Sequence, residues 1–224
     1  MIKPYPYFLA LCSLVLFVLA PSSCTAQSDR WEKRDQWQNV SGIFEAMNVH
    51  TGSYVADVGA RDGYLTVRLA EAVGAQGRVY AIDINASALK KLKKNLADED
   101  TSRVTLIHSL PDDPKLPEGL LDAVVVVNAY HEFDAYAAML AHIKDALKPG
   151  GLLVLVEPIT KRRRDASRKT QTGGHEIGLA YARADLVAAG FEILDTRDPF
   201  IKRKEQDYEM WLLVGRRPRE AQQP

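Results

Sequence analysis

The deciding stretch is Val55-Ala56-Asp57-Val58-Gly59-Ala60-Arg61-Asp62-Gly63-Tyr64-Leu65. A short β-branched run ends in an acid and a turn of small residues. An amphipathic segment, Tyr64 to Val73, begins at once. Strand, tight glycine turn and helix, in that order, build a pocket at the carboxyl end of a strand, where open α/β sheets bind ligands. The stretch therefore predicts a site for a nucleotide-like ligand.

Outward from it, strand-like and helix-like segments alternate. Strand patterns cover Tyr54–Val58, Arg78–Ile84, Val104–His108, Ala123–Val127 and Leu152–Glu157. Helical spacing covers Trp37–Met47, Tyr64–Val73, Ser87–Ala97, Phe133–Leu147 and Ile177–Ala189. This alternation predicts a parallel sheet with helices on both faces. The run Ala123-Val124-Val125-Val126-Val127 lacks the period-two pattern of a half-exposed strand, so it is expected at the sheet centre. Lys148-Pro149-Gly150-Gly151 reads as a breaker ahead of the fifth strand. Phe191–Asp195 and Tyr208–Gly215 are strand-like with no helix between them, which predicts an antiparallel pair. A polar loop holding Pro199 and Lys202-Arg203-Lys204 would join them.

The chain has 224 residues, 46% of them hydrophobic and 26% charged, enough for one domain with a full core. A formal net charge of zero gives no field that would favour nucleic acid. The amino terminus departs from this average. Lys3 is the single charge in residues 1–26, and Tyr7 to Ala20 is a run of 14 residues, apolar except for Ser13. Small residues follow up to Ala26. A weakly positive start, a short apolar run and a small-residue exit describe a secretory signal peptide. The run is shorter than the roughly 20 residues of a spanning helix. Cleavage near Ala26 and a periplasmic destination are expected; an uncleaved anchor, or lipidation at Cys24, is the alternative. Residues 27–31 read as polar linker. Cleavage would remove both cysteines, Cys12 and Cys24, and with them any disulfide or thiolate site.

A dinucleotide fingerprint needs a third glycine where Tyr64 stands, so that reading fails. What remains is an acid, a Gly59–Gly63 turn and a helix, followed twenty residues after Gly63 by Asp83 at the end of the second strand. An acid at that place accepts hydrogen bonds from ribose hydroxyls.

With these motifs the chain resembles the class I S-adenosylmethionine-dependent methyltransferases over about residues 37–215. The resemblance includes Val79-Tyr80-Ala81-Ile82-Asp83, Leu116-Pro117-Glu118-Gly119 leading to Asp122, and Leu147-Lys148-Pro149-Gly150-Gly151. Tyr130-His131-Glu132-Phe133 is similar to a segment found in a group of exported methyltransferases. The resemblance implies a Rossmann-like, seven-stranded, mostly parallel sheet with an antiparallel terminal pair. It implies a domain over residues 49–216, after a linker and helix at 27–48 and before a tail at 217–224. It also implies S-adenosyl-L-methionine as cofactor and a small-molecule acceptor; the alternative is a non-catalytic ligand-binding module on the same fold, exported to the periplasm. Asp57, Gly59, Ala60, Arg61 and Gly63 would hold the methionine part, Asp83 the ribose, and Ile84 and Leu110 the adenine. Asn128 would face the methionine part or the acceptor. Arg61 replaces a usual glycine; its guanidinium either grips the cofactor carboxylate or turns to solvent, unless the replacement abolishes binding.

His131 is the candidate base, because it follows the fourth strand and titrates near neutrality. Glu132 or Tyr130 would orient it. Alternatively, His131 bonds only the local backbone. Glu157 either meets the acceptor or pairs with an arginine, and His175 either closes the site or starts the last helix. The cluster Lys161-Arg162-Arg163-Arg164 with Arg168 and Lys169 reads as a solvated loop, with an anionic ligand as the sharper alternative. His50, His108, His131, His142 and His175 are too scattered to read as a metal motif.

Overall fold

A computed structural model describes residues 23–96, 102–202 and 208–219. Most of the expected signal peptide, residues 1–22, lies outside the described residues, as do Arg203 and Lys204. Among those described, seven strands form one sheet: β1 (Tyr54–Val58), β2 (Arg78–Asp83), β3 (Val104–His108), β4 (Leu121–Val127), β5 (Leu147–Thr160), β6 (Glu192–Lys202) and β7 (Tyr208–Arg216). Their order is β3-β2-β1-β4-β5-β7-β6. β1 to β5 run parallel, and β7 pairs antiparallel with both β5 and β6. The expected fold is therefore present.

Chain order reverses between β1 and β4, which stand side by side although two strands separate them in sequence. The carboxyl ends of such a pair splay their loops to opposite faces and open a crevice. β4 lies at the middle of the sheet, and Ala123 to Val126 are fully buried. Two apolar layers cover the sheet. One packs α2 (Val40–Met47) and α3 (Tyr64–Val73) on the face holding Val55, Val79 and Val125. The other packs α5 (Tyr136–Ala146) and α7 (Leu179–Ala188) around Ala56, Val124, Leu155 and Trp211. The remaining helices are α1 (Ser23–Asp35), α4 (Ala86–Asn95) and α6 (Arg168–Thr172).

Four boundaries differ from the pattern-based expectation. Residues 27–31 are not a linker but part of α1, which docks on α3. Tyr64 lies between two guanidiniums, with Arg34 Cζ 4.1 Å and Arg68 Cζ 4.0 Å from its ring centre. Its hydroxyl donates to Asp35 at 2.7 Å. Stacking of this kind contributes about 0.5–2 kcal/mol per contact. Second, the helix expected from Trp37 starts at Val40, because Asn39 turns left-handed and its side chain caps the Gly42 N–H. Third, the Lys148–Gly151 breaker does not start β5. Leu147 already pairs with Leu121, and the four residues bulge out before Leu152 meets Ala123. Fourth, Pro199 lies in β6, not in a loop. β6 is an edge strand and its register shifts between Arg197 and Ile201, so the missing proline N–H costs no ladder bond.

The first loop is tight where it meets the β4 turn. Gly59 has φ +82°, and a Cβ there would lie 2.5 Å from the Ala129 Cβ. Gly59→Ala is expected to cost roughly 2–4 kcal/mol, from left-handed strain plus overpacking. Urea denaturation would measure the loss, and adding Ala129→Gly should recover part of it.

Candidate functional site

Two cavities open at the β1/β4 switch point. The first, about 280 Å³, is lined by Asp57, Gly59, Ala60, Arg61 and Asn128 from the strand ends. Its outer wall is Arg34 from α1 with Trp37 and Gln38, which sequence reasoning missed as site residues. Among the described residues the Arg34 guanidinium makes one hydrogen bond, from Nε to Gln38 Oε1 at 3.0 Å, and no ion pair. Burial holds its pKa below the usual arginine value, against the pull of Tyr64 and Asp57. Gln38 is buried, and its Nε2 donor has no partner among the described residues.

Asp57 is the buried acid of this cavity, and its Oδ2 accepts the Thr66 hydroxyl at 2.7 Å. Burial pushes its carboxyl up to about 6; nearby Asp83 adds to this, while Thr66 and Arg34 oppose it. Gly63 begins α3 at φ +92°, where an added Cβ would meet Leu92 at 2.8 Å.

Arg61 resolves into two separate features. Its backbone is left-handed, at φ +50°, which is why glycine is the easier residue there. That geometry aims its N–H at Asp83 Oδ2, 2.8 Å away. Its side chain is exposed.

The second cavity, about 770 Å³, is built around Asp83 at the end of β2. Asp83 is buried, and the Asn85 N–H donates to its Oδ1 at 2.8 Å. Both oxygens are thus fixed in place by backbone donors and keep acceptor capacity toward the cavity. Ile84 and Leu110 line the same space while 56% and 47% exposed, so each offers an apolar surface left uncovered by the protein. Ser109 and Pro111 complete that wall. Asn128, at φ +54°, lines both cavities and connects them.

The far end of the second cavity holds His131, Glu132, Phe133, Met139 and His175. Glu157, fully buried in the carboxyl-terminal half of β5, organises it. Its Oε1 accepts the Ala129 and Tyr130 N–H groups at 2.6 and 2.7 Å, and its Oε2 meets His131 Nδ1 at 2.6 Å. Glu157 therefore pairs with no arginine; it is the residue that orients His131. Burial opposes a charge on the His131 ring, but Glu157 and then Glu132 outweigh it and hold the pKa above 6.5.

Tyr130 does not orient His131. It is buried in the core, donates its hydroxyl to Asp185 at 2.7 Å and packs edge-on against Phe133. Burial and Asp185 both push its phenol pKa up. Glu132 does reach His131, with Oε1 3.2 Å from Nε2. The same oxygen lies 2.8 Å from His175 Nδ1. His175 does not cap α7, whose first turn is led by Gly178; it sits left-handed at φ +57° in the preceding turn. His131 and His175 are 44 residues apart in sequence, yet their rings stand 5.9 Å apart.

The basic cluster is not a free loop. Arg163 pairs with Glu176 at 2.7 Å, Arg164 with Asp198 and Glu209 at 2.7 and 3.1 Å, and Arg168 with Asp185. Lys161, Arg162 and Lys169 remain exposed.

Comparison with known proteins agrees with this architecture. Residues 55–151 match a family model described as a methyltransferase domain. Demethylmenaquinone methyltransferase of Anoxybacillus flavithermus is 29% identical over 137 residues, 61% of this chain and 54% of that one. A ubiquinone/menaquinone biosynthesis C-methyltransferase of Pseudomonas savastanoi is 34% identical over 118 residues, 50% of this chain and 44% of that one. The chain thus spans about half the length of the curated relatives it matches. Among solved structures, a SAM-dependent methyltransferase from Aquifex aeolicus superposes with TM-score 0.69 at 18% identity, covering 88% of this chain and 98% of that one. The fold is the class I methyltransferase fold.

Asp57 gives a test of the site's electrostatics. Its folded pKa lies above its ordinary 3.8. Its contribution to stability is then full below about pH 4 and is lost as pH rises through about 6. A shift of this size corresponds to about 3 kcal/mol. Chemical denaturation at pH 5 and pH 8 should show the native chain losing stability with rising pH, and Asp57→Asn losing less.

Proposed function

We propose that this protein is a methyltransferase that uses S-adenosylmethionine to methylate a small-molecule acceptor. The observation that carries this reading is Asp83. Its carboxylate ends β2 inside the cleft, and two backbone N–H groups fix it where it can accept a ribose diol. The surrounding residues fit the rest of the cofactor. Ile84 and Leu110 supply the apolar faces for adenine. The Arg34 guanidinium, which makes no ion pair among the described residues, suits the carboxylate of the methionine part. Gly59 brings backbone close to the cleft without a side chain.

When bound, the cofactor supplies a methyl group activated by its sulfonium centre. The protein's own contribution is chiefly positioning, which is worth roughly 7–11 kcal/mol in well-oriented reactions. Asn128 lies where the two cavities meet and bounds both partners. Glu157 acts as a positioning residue, because it fixes the His131 ring through Nδ1 and leaves Nε2 toward the acceptor end. Phe133 and Met139 give that end an apolar lining. The names of the sequence relatives support a quinone-type ring as the acceptor class.

We also propose export, supported by the residue pattern of positions 1–26. No helix of the described residues is long and apolar enough to cross a membrane.

Calorimetry tests the cofactor assignment directly. The native chain should bind S-adenosylmethionine, and Asp83→Ala should abolish measurable binding. Arg34→Met should weaken it at least tenfold, whereas Arg61→Gly should stay within about threefold, since its contact with Asp83 is made by backbone. A larger loss in Arg61→Gly than in Arg34→Met would reverse the assignment of the carboxylate anchor. For location, residues 1–30 fused to a reporter active only outside the cytosol should give signal; a silent fusion would refute export.

A further inference from the structure

Three potential metal ligands converge at the rim of the second cavity. One atom each from His131, Glu132 and His175 lies within 4.8 Å of the other two. Glu132 Oε1 is common to both contacts, 3.2 Å from His131 Nε2 and 2.8 Å from His175 Nδ1. Metal–ligand bonds of about 2.1 Å place neighbouring ligand atoms roughly 3.0 Å apart in octahedral and about 3.4 Å apart in tetrahedral geometry. The 3.2 Å spacing falls in that range and the 2.8 Å spacing lies just below it.

The hydrogen bonds of His131 explain why a cation suits this place. Glu157 Oε1 is already used by two backbone donors, and the Nδ1–H of His131 goes to Oε2. In the neutral ring, Nε2 then carries a lone pair, aimed at a carboxylate oxygen only 3.2 Å away. Two electron-rich atoms at that distance need a positive centre between them, which a proton on Nε2 or a bound cation supplies. A buried carboxylate behind a histidine is also the arrangement that orients metal-binding imidazoles.

The backbone adds a second, independent indication. His175 holds a left-handed conformation, at φ +57°, that costs an ordinary residue of order 1–3 kcal/mol. Its side chain gains little packing in return, since it is 76% exposed. What the strained turn achieves is to bring Nδ1 to Glu132.

We propose that His131, Glu132 and His175 bind one divalent transition-metal ion, with open coordination positions facing the second cavity. Two imidazoles and one carboxylate select such ions over magnesium or calcium, which prefer all-oxygen sites. The open positions suit an oxygen of a hydroxylated acceptor, whose proton an adjacent cation makes easier to lose to solvent. That role rests on the methyltransferase reading above; the binding of the ion does not.

The test is a zinc titration of the untagged full chain, stripped with chelator and followed by a chromophoric zinc indicator. One equivalent should bind at micromolar concentration or tighter, with magnesium failing to compete. His175→Ala, an exposed change that leaves the core intact, should weaken binding at least tenfold. Glu157→Gln should weaken it 10–100-fold through His131. No zinc uptake, or uptake unchanged in His175→Ala, would overturn the proposal and leave a proton as the link between the three groups. Calorimetry with S-adenosylmethionine on the same preparation separates the two readings. Zinc bound without cofactor supports the ion and sinks the methyltransferase reading; cofactor bound without zinc overturns the ion alone.

Discussion

Glu157 is the constraint on which the rest of the site depends. A fully buried carboxylate is costly unless donors surround it. Here the donors are the backbone of Ala129 and Tyr130 and the ring of His131, all from the turn after β4. One side chain on β5 therefore sets the path of the neighbouring loop, the orientation of the imidazole and the far wall of the cleft. Removing it would leave three donors unsatisfied, a larger loss than any single contact suggests.

The opposite side of the cleft is built on the same logic with a different acid. Asp83 is fixed by the N–H groups of Arg61 and Asn85, so the loop after β1 and the start of α4 converge on one carboxylate. Two buried acids, each satisfied by backbone donors of another loop, thus determine the shape of the crevice at the point where strand order reverses. The side chains named for ligand contact are placed by these two anchors and less by their own packing.

Much of this was legible in the sequence because it is local. The Val55–Gly63 turn, the spacing to Asp83, the unbroken Ala123–Val127 run and the helix-free terminal strands each carry a pattern within a few residues, and the sheet follows from them. Contacts made across the fold had no such signature. Nothing near Glu157 announces that it, and not Tyr130 or Glu132 alone, orients His131. Arg34 and Gln38 carry no such signal, because the cavity they close is made by strands far along the chain. Tyr130 misleads by adjacency: in the tight turn Tyr130–Glu132, neighbouring side chains point to different layers, so it enters the core while His131 enters the cleft. The basic run at Lys161–Lys169 looks solvated until Glu176, Asp185, Asp198 and Glu209 are brought to it.

The docking of α1 on α3 has a consequence for maturation. The helix covers Ser23–Asp35, and its last turn supplies the outer wall of the first cavity through Arg34. A leader ending near Ala26 would therefore end inside a helix that the binding site needs. The cut position then sets how much of that helix remains to hold the wall in place. A cut a few residues downstream would shorten the helix and leave the sheet complete but the cleft open on one side. If the leader is cut there, processing and ligand affinity would be written in the same short segment, and a folded core alone would be no measure of a finished site.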